Sequence, residues 1–131
     1  MTVSTLLLRA ERAAESADML LKAGDTTGAC NRAYYAMFDA ARAALVASGS
    51  ITDIDNVSTH QGVIGMFGKH LVAAGKIDRQ WGRAFNNAEA ICIAADYTFK
   101  DVDADEAKFT VERANEFVQL VRDFCLRIHE G

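Results

Sequence analysis

The sequence contains no proline. It has only three cysteines and only a small excess of negative charge. Because proline interrupts helix interiors, its absence is typical of a chain built from long helices. The odd number of cysteines argues against the paired disulfides of a small secreted domain and favours free thiols in a reducing cytoplasm. The net charge of −4 gives no general attraction to nucleic acid, so RNA binding would need a local basic patch.

Long apolar runs are also missing from the sequence. No run approaches the roughly 20 residues needed to cross a bilayer. The N-terminus becomes charged after one short apolar run, unlike a signal peptide. The length of 131 residues suits one domain, and half of the residues are apolar, as in ordinary globular proteins. We therefore expect a single cytoplasmic domain over residues 1–131 that makes no membrane contact.

Apolar residues recur at steps of three and four through most of the chain, which predicts amphipathic helices. Ser58 and Gln61 have the spacing of a capping box, so the third helix is expected to start at Ser58. Short connections between helices favour antiparallel neighbours, and the sequence thus predicts an all-α, up-and-down bundle of about five helices. The predicted helices span approximately residues 3–21, 25–48, 58–75, 78–97 and 103–128.

The last predicted helix has an unusually wide apolar face. Phe117, Leu120 and Phe124 extend its apolar stripe beyond the narrow seam of a coiled coil. A small bundle should not need to bury so wide a face internally, and exposed apolar patches often mark interfaces. The sequence therefore predicts a homodimer.

The most informative segment is Asn31–Leu45, which reads NRAYYAMFDAARAAL. Adjacent residues of a helix point in different directions, so we expect Tyr34 to face the core and Tyr35 to face a polar sector. The residues of that polar ridge recur at helical spacing: Asn31, Arg32, Tyr35 and Asp39, followed by Arg42. The ridge is either a solvated face with local ion pairs or a binding surface. In a binding surface, Arg32 would offer a planar fork to phosphate, and Tyr35 an aromatic face or a hydroxyl.

This segment resembles the HEPN superfamily, specifically a small stand-alone branch with the pattern R-A-Y-Y-A-x-F-x-A-A-x-A-L. A T-H-x-G-V element containing His60 follows the loop, and an A-D-Y element containing Asp96 and Tyr97 precedes the final helix. The resemblance covers nearly the whole chain. It implies a helical bundle that dimerises through its helices and brings His60 and Tyr97 near the polar ridge. Asp96, from the same A-D-Y element, completes the candidate ligand-binding set.

Many HEPN proteins are RNases or toxin partners of nucleotidyltransferase antitoxins. Catalytic members carry an arginine, then four to six residues, then a histidine; the arginine stabilises phosphate charge and the histidine moves the ribose hydroxyl proton. In the branch resembled here the motif reads R-x-x-A-D-Y, which puts the arginine position at Cys92, and no histidine follows. The leading hypothesis is a non-catalytic HEPN domain that binds a nucleotide, RNA or a partner protein within a toxin–antitoxin type system.

Two alternatives are left open by the sequence. A metal-independent RNase toxin would take its charges from Arg32, Asp39 and His60, or from Arg122 and His129 near the C-terminus. The second pair lies where helices fray and in the wrong helix for the family site, which favours surface decoration. A structural or antitoxin-like subunit would need no ligand. No histidine or cysteine spacing matches a zinc site, and we expect neither a metal nor another cofactor.

Overall fold

The computed structural model describes residues 1–52, 54 and 59–130, and the side chains of these residues up to 128. They form five α-helices, which confirms the predicted all-α, up-and-down bundle. The helices are α1 (Val3–Lys22), α2 (Thr26–Ala47), α3 (His60–Phe67), α4 (Arg79–Thr98) and α5 (Ala104–Glu130). None of these helices is both long and apolar enough to cross a bilayer.

Side-chain caps fix the starts of the helices. Asp25 accepts a hydrogen bond from the backbone N–H of Gly28 at 2.8 Å, at the start of α2. The cap of α3 is Thr59, which accepts from the N–H of Gly62 at 3.0 Å. The prediction placed this cap one residue earlier, at Ser58, which lies outside the described residues. Such caps satisfy N–H groups that have no partner within the helix.

The third helix continues beyond Phe67 as a π-helical turn over Gly68–Val72. It therefore ends before the predicted Gly75, which adopts a positive φ of 76°. In this turn the chain reverses, and the N–H of Lys76 bonds back to the carbonyl of Leu71 at 2.9 Å. The left-handed conformation at such a reversal suits glycine because glycine has no Cβ.

The core lies where α2, α3, α4 and α5 meet. Phe67, Phe85 and Phe117 are at most 1% exposed. The ring centroid of Phe117 lies 5.4 Å from that of Phe67 and 5.7 Å from that of Phe85. On the other side of α2, α1 packs through alanines, whose small side chains let the two helices approach closely.

The wide apolar face of α5 is mostly covered within one chain. Phe117 is fully buried, Phe124 is 6% exposed and Leu120 is half-buried. The argument that this width needs a second subunit is therefore wrong, because the bundle itself covers most of the face. Apart from Phe109 near the start of the helix, the exposed large apolar side chains among the described residues of α5 are Leu126 and Ile128, near its end. They line a groove of about 660 Å³ between the start of α1 and the end of α5.

Candidate ligand-binding site

A cluster of rings forms where the first turn of α3 meets α2. The His60 ring centroid lies 5.3 Å from that of Tyr34, 5.8 Å from that of Tyr35 and 5.0 Å from that of Phe38. We refer to Tyr34, Tyr35, Phe38 and His60 as the ring cluster. Tyr34 is buried, whereas Tyr35 is 37% exposed and His60 is exposed. The predicted facing of the two tyrosines is confirmed.

A short hydrogen bond joins two members of the ring cluster. The hydroxyl of Tyr34 lies 2.6 Å from Nδ1 of His60. Burial, and secondarily the negative charge of Glu89, raises the pKa of the Tyr34 phenol far above its usual value of 10.0. The phenol therefore keeps its proton and can donate a hydrogen bond to Nδ1 of His60 in the tautomer that has its hydrogen on Nε2. In that tautomer Nε2 carries the ring proton and can donate to a ligand.

The position of His60 is fixed by its neighbours in the sequence. Thr59 caps the helix immediately before it. Immediately after it, the side-chain amide of Gln61 donates to Oε1 of Glu89 on α4 at 2.6 Å. The partner of Gln61 in the predicted capping box, Ser58, lies outside the described residues, and the described contact of the Gln61 side chain is with α4. These contacts hold the start of α3 against both α2 and α4.

The outer edge of the ring cluster combines an aromatic face with a cation. The guanidinium carbon of Arg32 lies 5.7 Å from the centroid of the Tyr35 ring, within range of a cation–π contact. Asn31 is exposed one turn before Tyr35. The structure therefore brings Arg32, Tyr35 and His60 together, as predicted. An aromatic face beside a guanidinium and a ring N–H suits a stacked base and a phosphate, or a polar protein surface.

Asp39 does not belong to this exposed surface. It is 6% exposed, and its carboxylate lies 3.3 Å from Nη1 of Arg42 and 3.5 Å from Nε of Arg9 on α1. Its predicted place on a solvent-facing ridge is wrong, because α1 packs over that side of α2. Asp39 links α1 and α2 through its ion pair with Arg9. The RNase alternative that requires Asp39 beside His60 therefore loses support.

The A-D-Y element lies at the end of α4. Asp96 is exposed, and Tyr97 is 81% exposed. No ring contact between described residues joins Tyr97 to the ring cluster. Glu89, which does reach α3, precedes Tyr97 by about 12 Å along the helix, at 1.5 Å per residue. The ring contacts thus do not extend to Tyr97, and the site roles of Asp96 and Tyr97 stay predictions.

Cys92 has the environment of a structural thiol. Its S–H donates to the backbone carbonyl of Cys30 at 3.6 Å. Burial raises the pKa of Cys92 to about 12, and the nearby groups Cys30 and Asp96 act in the same direction. The thiol is therefore neutral at physiological pH, at the position where the resemblance puts the arginine of catalytic members. Cys30, Cys92 and Cys125 are all free, as predicted.

The second RNase pair and a metal site also find no support. Arg122 forms an ion pair with Glu11 on α1, and the side chain of His129 lies outside the described residues. Within the described part of the chain, no three histidine, cysteine or acidic side chains converge in a way that could hold a metal ion.

Sequence reasoning missed two members of this site. Helical spacing puts Phe38 on the same apolar stripe of α2 as Tyr34, which predicts a core residue, yet Phe38 is half-buried and its ring faces His60. Glu89 was not considered, because only the contact with Gln61 on another helix reveals its role. The available signal was the position of Phe38 one turn after Tyr34 and Tyr35, which predicts a continuous aromatic surface.

Comparisons with known proteins identify relatives over nearly the full chain. A UPF0332 protein of Gloeobacter violaceus is 31% identical over 121 residues, which cover 91% of this chain and 92% of that protein. A protein of Methanocaldococcus jannaschii that bears the name "Putative toxin" is 32% identical over 120 residues, covering 92% of this chain and 86% of its own length. A UPF0332 protein of Thermotoga maritima is 28% identical over 114 residues, covering 86% and 83% respectively.

The family comparison agrees with the motifs and the fold. The family model described as HEPN domain matches residues 3–124, from the first turn of α1 to late in α5. This range contains the R-A-Y-Y-A-x-F segment, the T-H-x-G-V element and the A-D-Y element. The resemblance predicted from those motifs is confirmed, and the chain belongs to the HEPN domain family.

Proposed function

We propose that this chain is a HEPN domain of the toxin type that binds its target through the ring cluster and does not cleave RNA. The observation that carries the proposal is Cys92, a neutral thiol bonded to a backbone carbonyl at the position where catalytic members place an arginine. RNA cleavage without a metal needs a cation beside the reacting phosphate. A neutral thiol supplies none. Relatives that bear toxin names support the toxin-type role.

The ring cluster suits a nucleotide or single-stranded RNA. A base would stack on the exposed face of Tyr35, and stacking of this kind contributes about 1–3 kcal/mol per base. The phosphate would lie towards Arg32 and away from the carboxylate of Glu89. The Nε2–H of His60 and the amide of Asn31 would supply hydrogen bonds. A partner protein, such as a nucleotidyltransferase, would use the same exposed groups.

We also propose that the chain forms a homodimer in the cytoplasm. We place the whole chain, residues 1–131, in one domain that forms a homodimer. The exposed apolar side chains of Leu8, Leu126 and Ile128 in the α1–α5 groove would be covered by a second copy. The free thiols suit a reducing compartment, so we propose the cytoplasm.

The first test of this function is RNA cleavage. Purified protein incubated with single-stranded RNA in chelator at neutral pH should leave the RNA intact over hours. Cleavage that disappears in Arg32→Ala or His60→Ala would refute the non-catalytic proposal and move the chain to the RNase class. Loss of cleavage only in His129→Ala would move the site to the Arg122 and His129 pair, and cleavage that persists unchanged in all three variants would indicate a contaminating nuclease.

The second test is binding, measured by fluorescence anisotropy with a short labelled RNA. Tyr35→Ala should weaken binding about ten-fold, as expected for the loss of one stacked base. Arg32→Gln should also weaken it, whereas Arg12→Gln, at an exposed arginine on α1, should not. Equal losses in the two arginine variants would show non-specific attraction. If Tyr97→Ala alone abolishes binding, the site lies at the end of α4 instead.

A further inference from the structure

A second exposed surface lies where α4 ends, and it shares no residue with the ring cluster. Phe99 is 95% exposed and Tyr97 is 81% exposed, the highest values among the large apolar side chains of the described residues. Ile93, which precedes Tyr97 by four residues and therefore shares its face of α4, is 46% exposed. We refer to Ile93, Tyr97 and Phe99 as the aromatic end of α4. Exposed apolar side chains grouped in this way often mark a protein interaction site.

Phe99 is held in a backbone conformation that its side chain disfavours. Its φ of 57° is positive, and within the described part of the chain no other residue except glycine has a positive φ. Phe99 ends α4, and its N–H bonds to the carbonyl of Ala95 at 3.1 Å. Glycine or asparagine usually occupies such a helix end. Because the Phe99 ring lies almost wholly in water, core packing does not account for it, and strain of this kind concentrates at functional sites.

The connection that follows Phe99 is held against the start of α2. The N–H of Val102 donates to Oγ1 of Thr27 at 3.0 Å, and the Thr27 hydroxyl donates to the carboxylate of Asp101 at 3.2 Å. The side chain of Val102 is buried in a cluster with Cys30. Phe99 therefore lies between a helix and an anchored residue, and its exposure results from a defined backbone path.

The aromatic end of α4 lies in a strongly acidic stretch of the chain. Residues 96–106 contain five carboxylates and one lysine, a net charge of −4. The carboxylates are all exposed: Asp96, Asp101, Asp103, Asp105 and Glu106. Asp103 accepts from the N–H groups that open α5, which accounts for its position. Asp96 lies in the last turn of α4, where the helix dipole disfavours negative charge, so helix stability does not account for it.

The sign of this charge restricts what can dock here. A negative surface repels nucleic acid and attracts a basic polypeptide. Among basic side chains, arginine stacks on aromatic rings and also forms bidentate hydrogen bonds with carboxylates. The aromatic end of α4 offers rings and carboxylates within a few residues of one another, which matches both properties of arginine.

We propose that the aromatic end of α4 is a docking surface for an arginine-rich segment of a partner protein. Guanidinium groups of the segment lie against the rings of Tyr97 and Phe99 and pair with Asp96 and the carboxylates of the connection. Ile93 covers the apolar stem of an arginine. This surface is separate from the one in the proposed function, and either can fail without the other.

The test is fluorescence anisotropy of the full chain with a labelled peptide of alternating arginine and glycine. At about 150 mM salt, which screens weak surface attraction, binding should be saturable. A peptide with lysine in place of arginine should bind more weakly, and one with glutamine should not bind. Tyr97→Ala should weaken binding of the arginine peptide about three-fold or more, the usual effect of losing one exposed cation–π contact. Tyr97→Phe, which keeps a ring, should bind nearly as well as the wild type.

Phe99→Gly gives the sharpest test because its two expected effects have opposite signs. Glycine adopts a positive φ without strain, so the urea midpoint should rise. The same change removes a ring, so affinity for the arginine peptide should fall about three-fold or more. Asp96→Asn should also weaken binding, whereas Glu15→Gln, the matched control at an exposed carboxylate on α1, should not.

Four outcomes would overturn this inference. The first is the absence of saturable binding of the arginine peptide up to about 1 mM. The second is an equal loss in Asp96→Asn and Glu15→Gln, which would indicate non-specific charge attraction. The third is unchanged peptide affinity in both Tyr97→Ala and Phe99→Gly, which would exclude the rings. The fourth is a lower urea midpoint in Phe99→Gly, which would make Phe99 a structural residue.

Discussion

Replacing Tyr34 with alanine should lower the free energy of unfolding by about 3–5 kcal/mol, the usual loss when a large buried aromatic side chain is truncated. The same replacement at the adjacent Tyr35 should cost about 1 kcal/mol, near the average for point mutations. The two changes remove the same atoms from the same helix. Helix propensity therefore changes equally, and the difference reports burial.

The magnitude follows from the surroundings of each ring. Tyr34 is 3% exposed, and its ring centroid lies 5.9 Å from that of Phe85 and 6.2 Å from that of Phe38. Tyr35 is 37% exposed, so much of its surface stays in water in the folded chain. A third variant, Tyr34→Phe, keeps the ring and removes only the hydrogen bond to His60. It should cost about 1 kcal/mol, the net contribution of one such bond.

Urea unfolding followed by circular dichroism would measure all three variants. The denaturant midpoint should fall most for Tyr34→Ala, with an unchanged dependence on urea concentration. Equal midpoints for Tyr34→Ala and Tyr35→Ala would refute the assigned orientation of α2. A loss in Tyr34→Phe as large as that in Tyr34→Ala would show that the hydrogen bond, and not the ring, carries the stability.

Three further predictions concern the buried carboxylate, the thiols and assembly. Asp39→Asn should lower the free energy of unfolding by about 3 kcal/mol because it leaves Arg9 and Arg42 without their buried partner. Glu116→Gln, which removes an exposed ion pair, should lower it by about 0.5 kcal/mol or less. Equal urea midpoints for the two variants would contradict the burial of Asp39. The pKa of Cys92 is raised from 9.0 to about 12, so above pH 9 the unfolded chain releases a proton that the folded chain keeps. Stability should therefore fall as pH rises from 9 towards 12, and it should fall less steeply in Cys92→Ala. Urea midpoints measured across this pH range would test this, and the same dependence on pH in both proteins would contradict the raised pKa of Cys92. Sedimentation at micromolar concentration should give about twice the mass of one chain, and Leu126→Glu, but not Ile93→Glu on α4, should give a monomer; a monomeric wild type would contradict the dimer.

The helices and the facing of the tyrosines could be predicted because they depend on local sequence. Asp25 and Asp78 cap the helices that follow them, since a cap needs only its own side chain and the next few N–H groups. The burial of Tyr34 and exposure of Tyr35 follow from the helical period alone. The family motifs are short, contiguous segments as well, so the HEPN resemblance is recognisable from the sequence without knowledge of the fold.

The composition of the candidate site depended on contacts between distant parts of the chain. Tyr34 and His60 are 26 residues apart, and their hydrogen bond exists only because α3 packs across α2. Asp39 has the spacing of a surface residue, but α1 places Arg9 against it and buries it. Periodicity assigns a residue to one side of a helix without specifying which helix covers that side.

The sequence by itself therefore determined the helical class, the facing of Tyr34 and Tyr35, and the presence of a cysteine, Cys92, where the family pattern has an arginine. The tertiary structure alone decided which of the polar residues meet, which are buried and where concave surfaces remain. The physical reason is the range of the interactions. Helix formation and capping act within a few residues, whereas burial and ion pairing depend on whichever element packs against a side chain.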